Sequence, residues 1–130
     1  MIISNSNSTK DASRKKRGRT AERAVEKWLR DRGYEIVGKN LRFGHDEIDL
    51  LVRRGETLIV CEVRSRKKGA IDPSWAFDWK KRQRLKRAAF SCWVAFGCPP
   101  LFQIDAAAVS FESDGSIKIE YYENAVQECA

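Results

Sequence analysis

Glu47, Asp49, Glu62 and Arg64 fall within two apolar stretches, 46–53 and 57–65, that read as strands joined by a short turn at Arg54-Gly55. With that turn, Glu47 faces Glu62, and Asp49 lies opposite Val60 and diagonal to Glu62. Strand alternation then puts Glu47, Asp49, Glu62 and Arg64 on one face. Ile48, Leu50, Val52, Ile59, Cys61 and Val63 take the other. The acid face is itself apolar further along, at Leu51, Leu58 and Val60, so both strands are expected to be buried. Carboxylates at the end of a buried strand pair repel one another and are costly to desolvate. A metal ion, a basic partner or water at an open edge must offset that cost.

A third acid comes from a helix expected near 20–32. Ala21, Ala24, Val25, Trp28 and Leu29 recur at the spacing of one buried stripe, with Thr20 to cap the start and Gly33 to stop the end. On a helical wheel Glu22 lies about 20° from Leu29 and about 60° from Val25, at the edge of that stripe. It can therefore point across the sheet toward Asp49 and Glu62. Three hard oxygen donors beside an arginine suit Mg2+ or Mn2+. The plainer alternative makes Glu22 a first-turn acid favoured by the helix dipole, and Glu47 and Glu62 sheet-edge acids paired with Arg64.

These residues need a framework, and 130 residues supply one domain. At 42% hydrophobic and 33% charged, the composition is that of a soluble globular chain. Residues 1–17 read as a flexible basic arm and 18–130 as the domain. After the first helix come an extended segment at 34–43, the hairpin, and a basic loop at 66–72. Asp72-Pro73-Ser74 opens a second helix that runs to about Phe96, with Leu85, Ala88, Ala89, Cys92, Trp93 and Phe96 as its stripe. Strands at 101–111 and 117–123 close the chain. The expected fold is α/β, with a mixed five-stranded sheet flanked by helices.

Nothing in the chain reads as a membrane span or a signal peptide, which favours the cytoplasm and no membrane partner. Four cysteines without C-x-x-C spacing and a single histidine, His45, argue against zinc. Cys61 and Cys92 read as small core residues. The charge is uneven. Residues 1–20 hold six bases against one acid, residues 61–87 ten against three, and residues 88–130 one against six. Two basic blocks of this kind suit a polyanion, with nucleic acid first. Arg64, Arg66, Lys67, Lys68, Lys81 and Arg84 are the expected phosphate contacts. Trp75, Phe77 and Trp79 stand among them and either stack unpaired bases or pack on the sheet.

In order along residues 18–126, the sequence resembles the YraN-like family of predicted bacterial endonucleases. Gly18-Arg-Thr-Ala-Glu22 matches its G-x-x-G-E, with Ala21 for the second glycine. His45-Asp-Glu47-Ile-Asp49-Leu50 matches G-E-I-D-L, with Asp46 for glycine. Val60-Cys-Glu62-Val-Arg64-Ser-Arg66 carries Arg64 where the family has lysine. Lys81-Arg-Gln-Arg84-Leu85, Gln103-Ile-Asp105 and Glu123-Asn124-Ala125 follow in step. The resemblance implies the restriction-endonuclease-like fold of the PD-(D/E)xK superfamily, close to Holliday-junction resolvases. It implies Glu22, Asp49, Glu62 and Arg64 as catalytic residues. The metal, Mg2+ or Mn2+, would be held by Asp49, Glu62, the Val63 carbonyl and Glu22. The expected activity is hydrolysis of branched or flapped DNA, in repair or recombination, with a homodimer to make paired cuts. Because arginine stays protonated, Arg64 cannot act as a base. Two alternatives therefore stand beside the nuclease: a catalytically weakened DNA-binding module, and an RNA-binding accessory protein driven by the basic tail.

Overall fold

The structure, a computed structural model, describes residues 5–67 and 79–126. Its elements run α1 (Asn5–Asp31), β1 (Glu35–Phe43), β2 (Asp46–Arg54), β3 (Thr57–Lys67), α2 (Trp79–Ala95), β4 (Phe102–Phe111) and β5 (Ile117–Tyr122). The five strands form one sheet in sequence order, antiparallel except where β4 lies parallel to β3. A parallel neighbour requires a crossover, and α2 lies in that connection. The α/β class, the mixed five-stranded sheet and the order of elements are as the sequence indicated. The Asp72-Pro73-Ser74 helix start lies outside the described residues.

Two apolar layers hold the sheet between the helices. Ala21, Val25 and Leu29 of α1 pack with Leu50, Val52, Ile59, Cys61, Ala107 and Val109. Leu85, Ala88, Ala89 and Cys92 of α2 pack with Ile48, Leu51, Leu58 and Val60 on the opposite face. This is why β2 and β3 are apolar on both sides, and why Cys61 and Cys92 are fully buried. Gly33 ends α1 as expected, with φ +88 and the Tyr34 N–H donating back to the Leu29 carbonyl.

Three local expectations are corrected. First, α1 starts at Asn5, so residues 5–17, assigned to a basic arm, extend the helix. Thr20 is no cap; its hydroxyl donates to the Lys16 carbonyl within the helix. The stretch has no proline and several good helix formers, but no apolar stripe, the signal by which a buried helix is recognised. Second, the β2–β3 turn is Gly55-Glu56, closed by the Arg54↔Thr57 pair. Gly55 at φ +61 in the first central position fits a type II′ turn. Leu51, not Asp49, therefore faces Val60.

Third, strict alternation fails at Asp49. Ile48 joins the α2 layer while Leu50 joins the α1 layer. On β1 the matching break is Asn40 at φ +50, between the Lys39↔Leu50 and Leu41↔Ile48 pairs. Ile48 thus leaves the face assigned to it. Asp49 sits where the strand pair rolls from one apolar layer to the other.

Candidate active site

The recorded β2–β3 pairing ends at Leu50↔Cys61. Just beyond it, the Val63 N–H donates to Asp49 Oδ2 at 2.8 Å. A carboxylate thus takes the place of a main-chain acceptor, and the strands part around it. The sequence-derived role for Val63 was its carbonyl; the contact formed is through its N–H. Continuing the Leu50↔Cys61 register puts Asp49 level with Glu62, closer than the expected diagonal. The Asp49 carboxylate is near enough there to act on Glu62.

Glu62 is the most perturbed of these acids. Burial, then hydrogen bonding of its protonated form to Asp49, then the Asp49 charge push its carboxyl up to about 9, and Arg64 only partly opposes them. The Glu62 side chain is 13% exposed, and Arg64 Nε stands 3.8 Å from its Oε1. That separation is an ion pair without a direct hydrogen bond. Glu22 reaches the same site from α1. Its carboxyl is raised by burial first, then by the charges of Asp49 and Glu47, with Lys39 opposing. Glu47 is more open, 3.8 Å from Arg42 Nε. The three acids named from the sequence are therefore electrostatically coupled, and Arg64 adjoins Glu62.

Among the described residues, no three Asp, Glu, His or Cys side chains close on one point as a preformed metal cage. The donor chemistry nevertheless fits a hard divalent cation. Burial and the charge of Asp49 both raise the Glu62 carboxyl, and a cation would neutralise such a pair. Glu22 would complete the set.

The expected phosphate contacts are only partly gathered. Arg66 Nε lies 3.4 Å from Ser110 Oγ on β4. Lys81 and Arg84 are exposed on α2, and the charge of Arg84 acts on Asp46 at the start of β2. The Lys67 side chain, Lys68, Trp75 and Phe77 lie outside the described residues. Trp79 is 69% exposed and does not pack on the sheet.

Two features had no role in the sequence reading. Arg87 of α2 grips Asp46 through two bonds, Nε to Oδ2 at 2.7 Å and a terminal nitrogen to Oδ1 at 2.8 Å. This clasp ties the β1–β2 turn to α2, just ahead of Glu47 and Asp49. Its only sequence signal was an aspartate where the resembled motif has glycine. The other is Asp105, fully buried on β4. It accepts from Gln103 Nε2 at 2.9 Å, the Tyr121 hydroxyl at 2.5 Å and the Asn124 N–H at 3.0 Å. A lone acid within an apolar strand was its signal.

Comparison with known proteins places these residues in a wider group. A family model described as "Uncharacterised protein family UPF0102" matches residues 21–109. A UPF0102 protein of Porphyromonas gingivalis is 33% identical over 111 residues, covering 84% of this chain and 82% of its own. One from Sorangium cellulosum is 36% identical over 117 residues, covering 83% and 78%. One from Symbiobacterium thermophilum is 32% identical over 110 residues, covering 83% and 93%. Among solved structures, Pyrococcus furiosus SfsA in complex with Ca2+ aligns with a TM-score of 0.38 at 16% identity. That alignment covers 88% of this chain and 65% of the SfsA chain.

Proposed function

This chain belongs to the UPF0102 family, the YraN-like group its motifs resembled, and from that premise we propose that it is a metal-dependent endonuclease acting on DNA. The observation that carries the reading is the buried Asp49–Glu62 pair at the point where β2 and β3 part, with Glu22 and Arg64 beside it. Such a pair is unfavourable in a resting fold and useful to a cation.

Asp49, Glu62 and Glu22 would hold Mg2+ or Mn2+. When bound, the metal supplies a water of lowered pKa and a positive charge against the phosphate. The Val63 N–H fixes the Asp49 carboxylate, so one ligand is oriented in advance. Arg64 can hold a phosphate oxygen through paired donors, but it cannot accept a proton. Arg66, Lys81 and Arg84 supply charge for flanking phosphates. Branched or flapped DNA is the proposed substrate, and a dimer would make symmetric cuts.

Arg64 favours a second reading, a DNA-binding module on a nuclease scaffold that cuts slowly or not at all. One experiment separates them. Labelled junction, flap, single-strand, duplex and RNA substrates are incubated with wild type and Glu62→Gln in Mg2+, Mn2+ or EDTA. The nuclease cuts only with metal and loses cutting, not binding, in Glu62→Gln. Tight, salt-sensitive binding without cutting in any metal selects the binding module. Preference for RNA without cutting selects an RNA-binding role.

A further inference from the structure

The N-terminal half of α1 continues past the core in an unusual way. Gly18 lies seven residues before Val25 and three before Ala21, both fully buried, so the helix turns it toward the sheet side. Yet a Cβ at Gly18 would meet nothing within 4 Å, and its backbone is ordinary helix without a positive φ. Neither packing nor backbone conformation calls for glycine there, and glycine weakens a helix interior. Among the described residues, the inward stripe of α1 therefore overhangs open space, one turn before Glu22.

Basic side chains frame that space. On the wheel Lys15 lies about 20° from Glu22, Gly18 about 40° and Arg19 about 60°. Arg17 borders the other side, and its Nε is shielded from solvent without a hydrogen-bond partner. A shielded guanidinium nitrogen with no acceptor is a donor waiting for one. Along one helix the inward stripe thus passes from Val25 and Ala21, to an acid coupled to the Asp49–Glu62 pair, to a half-buried glycine flanked by bases.

We propose that Gly18, Arg17, Lys15 and Arg19 form a nucleic-acid backbone site, seating the strand next to the phosphodiester at the carboxylate cluster. The proposal rests on the nuclease reading and adds a contact surface on α1, separate from the α2 and β3 residues named from the sequence. Glycine lets the sugar–phosphate chain lie against the helix, and Arg17 supplies a donor to a phosphate oxygen. The strand would then run along α1 between Gly18 and Glu22.

Binding of a fluorescein-labelled single strand is followed by anisotropy in EDTA from 50 to 200 mM KCl. The full chain is used as wild type, Gly18→Ala, Gly18→Leu and Arg17→Gln, with melting curves alongside. Gly18→Leu should melt above wild type, because leucine favours helix and the space is open, yet bind at least about tenfold more weakly. Gly18→Ala should melt higher with a smaller loss. Arg17→Gln should lower the salt slope by about one. If Gly18→Leu and Gly18→Ala bind as wild type does, this site is wrong and the nuclease reading stands. If wild type does not bind the strand, this site is wrong, and the cleavage panel decides the nuclease reading separately. If Gly18→Leu does not fold, the binding of Gly18→Ala and the slope of Arg17→Gln decide.

Discussion

Two buried acids on neighbouring strands of the same sheet are treated in opposite ways. Asp105 on β4 is met by three neutral donors, and each of those hydrogen bonds works against the burial that raises its carboxyl. Glu62 on β3 is met by another carboxylate, and that neighbour adds to the effect of burial. Asp105 is a polar group whose fold supplies its partners. For Glu62, the charge of Arg64 at 3.8 Å offsets burial and the Asp49 charge only in part. A fold that can satisfy one buried acid fully has no general difficulty in doing so. The shortfall at the other is what the proposed metal site would use.

The sharpest break between the two regions should be kinetic. Glu62→Gln should reduce metal-dependent cleavage at least about 100-fold, the scale of removing one preorganised electrostatic group from a site. Asp105→Asn keeps the shape of its side chain and lies outside the carboxylate cluster, so it should stay within several-fold of wild type. Initial rates on one labelled substrate at saturating Mn2+ compare the two. Equal losses would erase the distinction.

Stability should rank them the other way. Asp105→Ala takes the acceptor from Tyr121, Gln103 and the Asn124 N–H together, and should cost about 2–4 kcal/mol by urea denaturation. Glu62→Gln should stabilise the metal-free protein. Between about pH 4.5 and the folded value near 9, the folded protein holds a proton at Glu62 that the unfolded chain has released. Wild-type stability is thus greatest at the acid end of that window and falls as pH rises through it. Glu62→Gln removes that slope, with a gain on the order of 2 kcal/mol at pH 8. Mn2+ should reverse the order, raising the melting temperature of wild type and not of Glu62→Gln, and more at pH 8 than at pH 6. A flat pH profile in wild type would sink the account of the pair.

The sequence was legible where periodicity and burial coincide. Val25, Leu29, Leu85 and Cys92 announced their layers, and helical spacing put Glu22 at the edge of the buried stripe. Asp49 and Glu62, in contrast, were paired on a turn one position off and on an alternation that fails at Asp49. The Gly55-Glu56 turn was misread by one position because Arg54-Gly55 and Gly55-Glu56 are both acceptable two-residue turns, and only strand twist chooses between them. The roll at Asp49 depends on Asn40 adopting φ +50, which no alternation pattern reveals. The long start of α1 was invisible because an exposed helix carries no stripe. The Asp46–Arg87 clasp joins residues 41 positions apart and exists only once α2 has docked.

The smallest effect bears on Arg64, which already offsets part of the charge of the acid cluster. Its Nε stands 3.8 Å from Glu62 and lowers the cost of that acid, so it stabilises the resting pair, apart from any proposed role toward a phosphate. Lysine at this position would exchange a forked, permanently protonated group for a single ammonium that can release a proton in a desolvated site. If water activation limits the rate, Arg64→Lys should raise cleavage by several-fold, up to about tenfold, with a new dependence on pH at the alkaline side. If phosphate binding limits it, the paired donors are lost and the rate falls. The pH–rate profile separates these outcomes. A faster variant with the added alkaline dependence would make the arginine a brake on catalysis. An unchanged or slower one would show that the site has adapted to arginine, and that the water is prepared by the metal and the carboxylates alone.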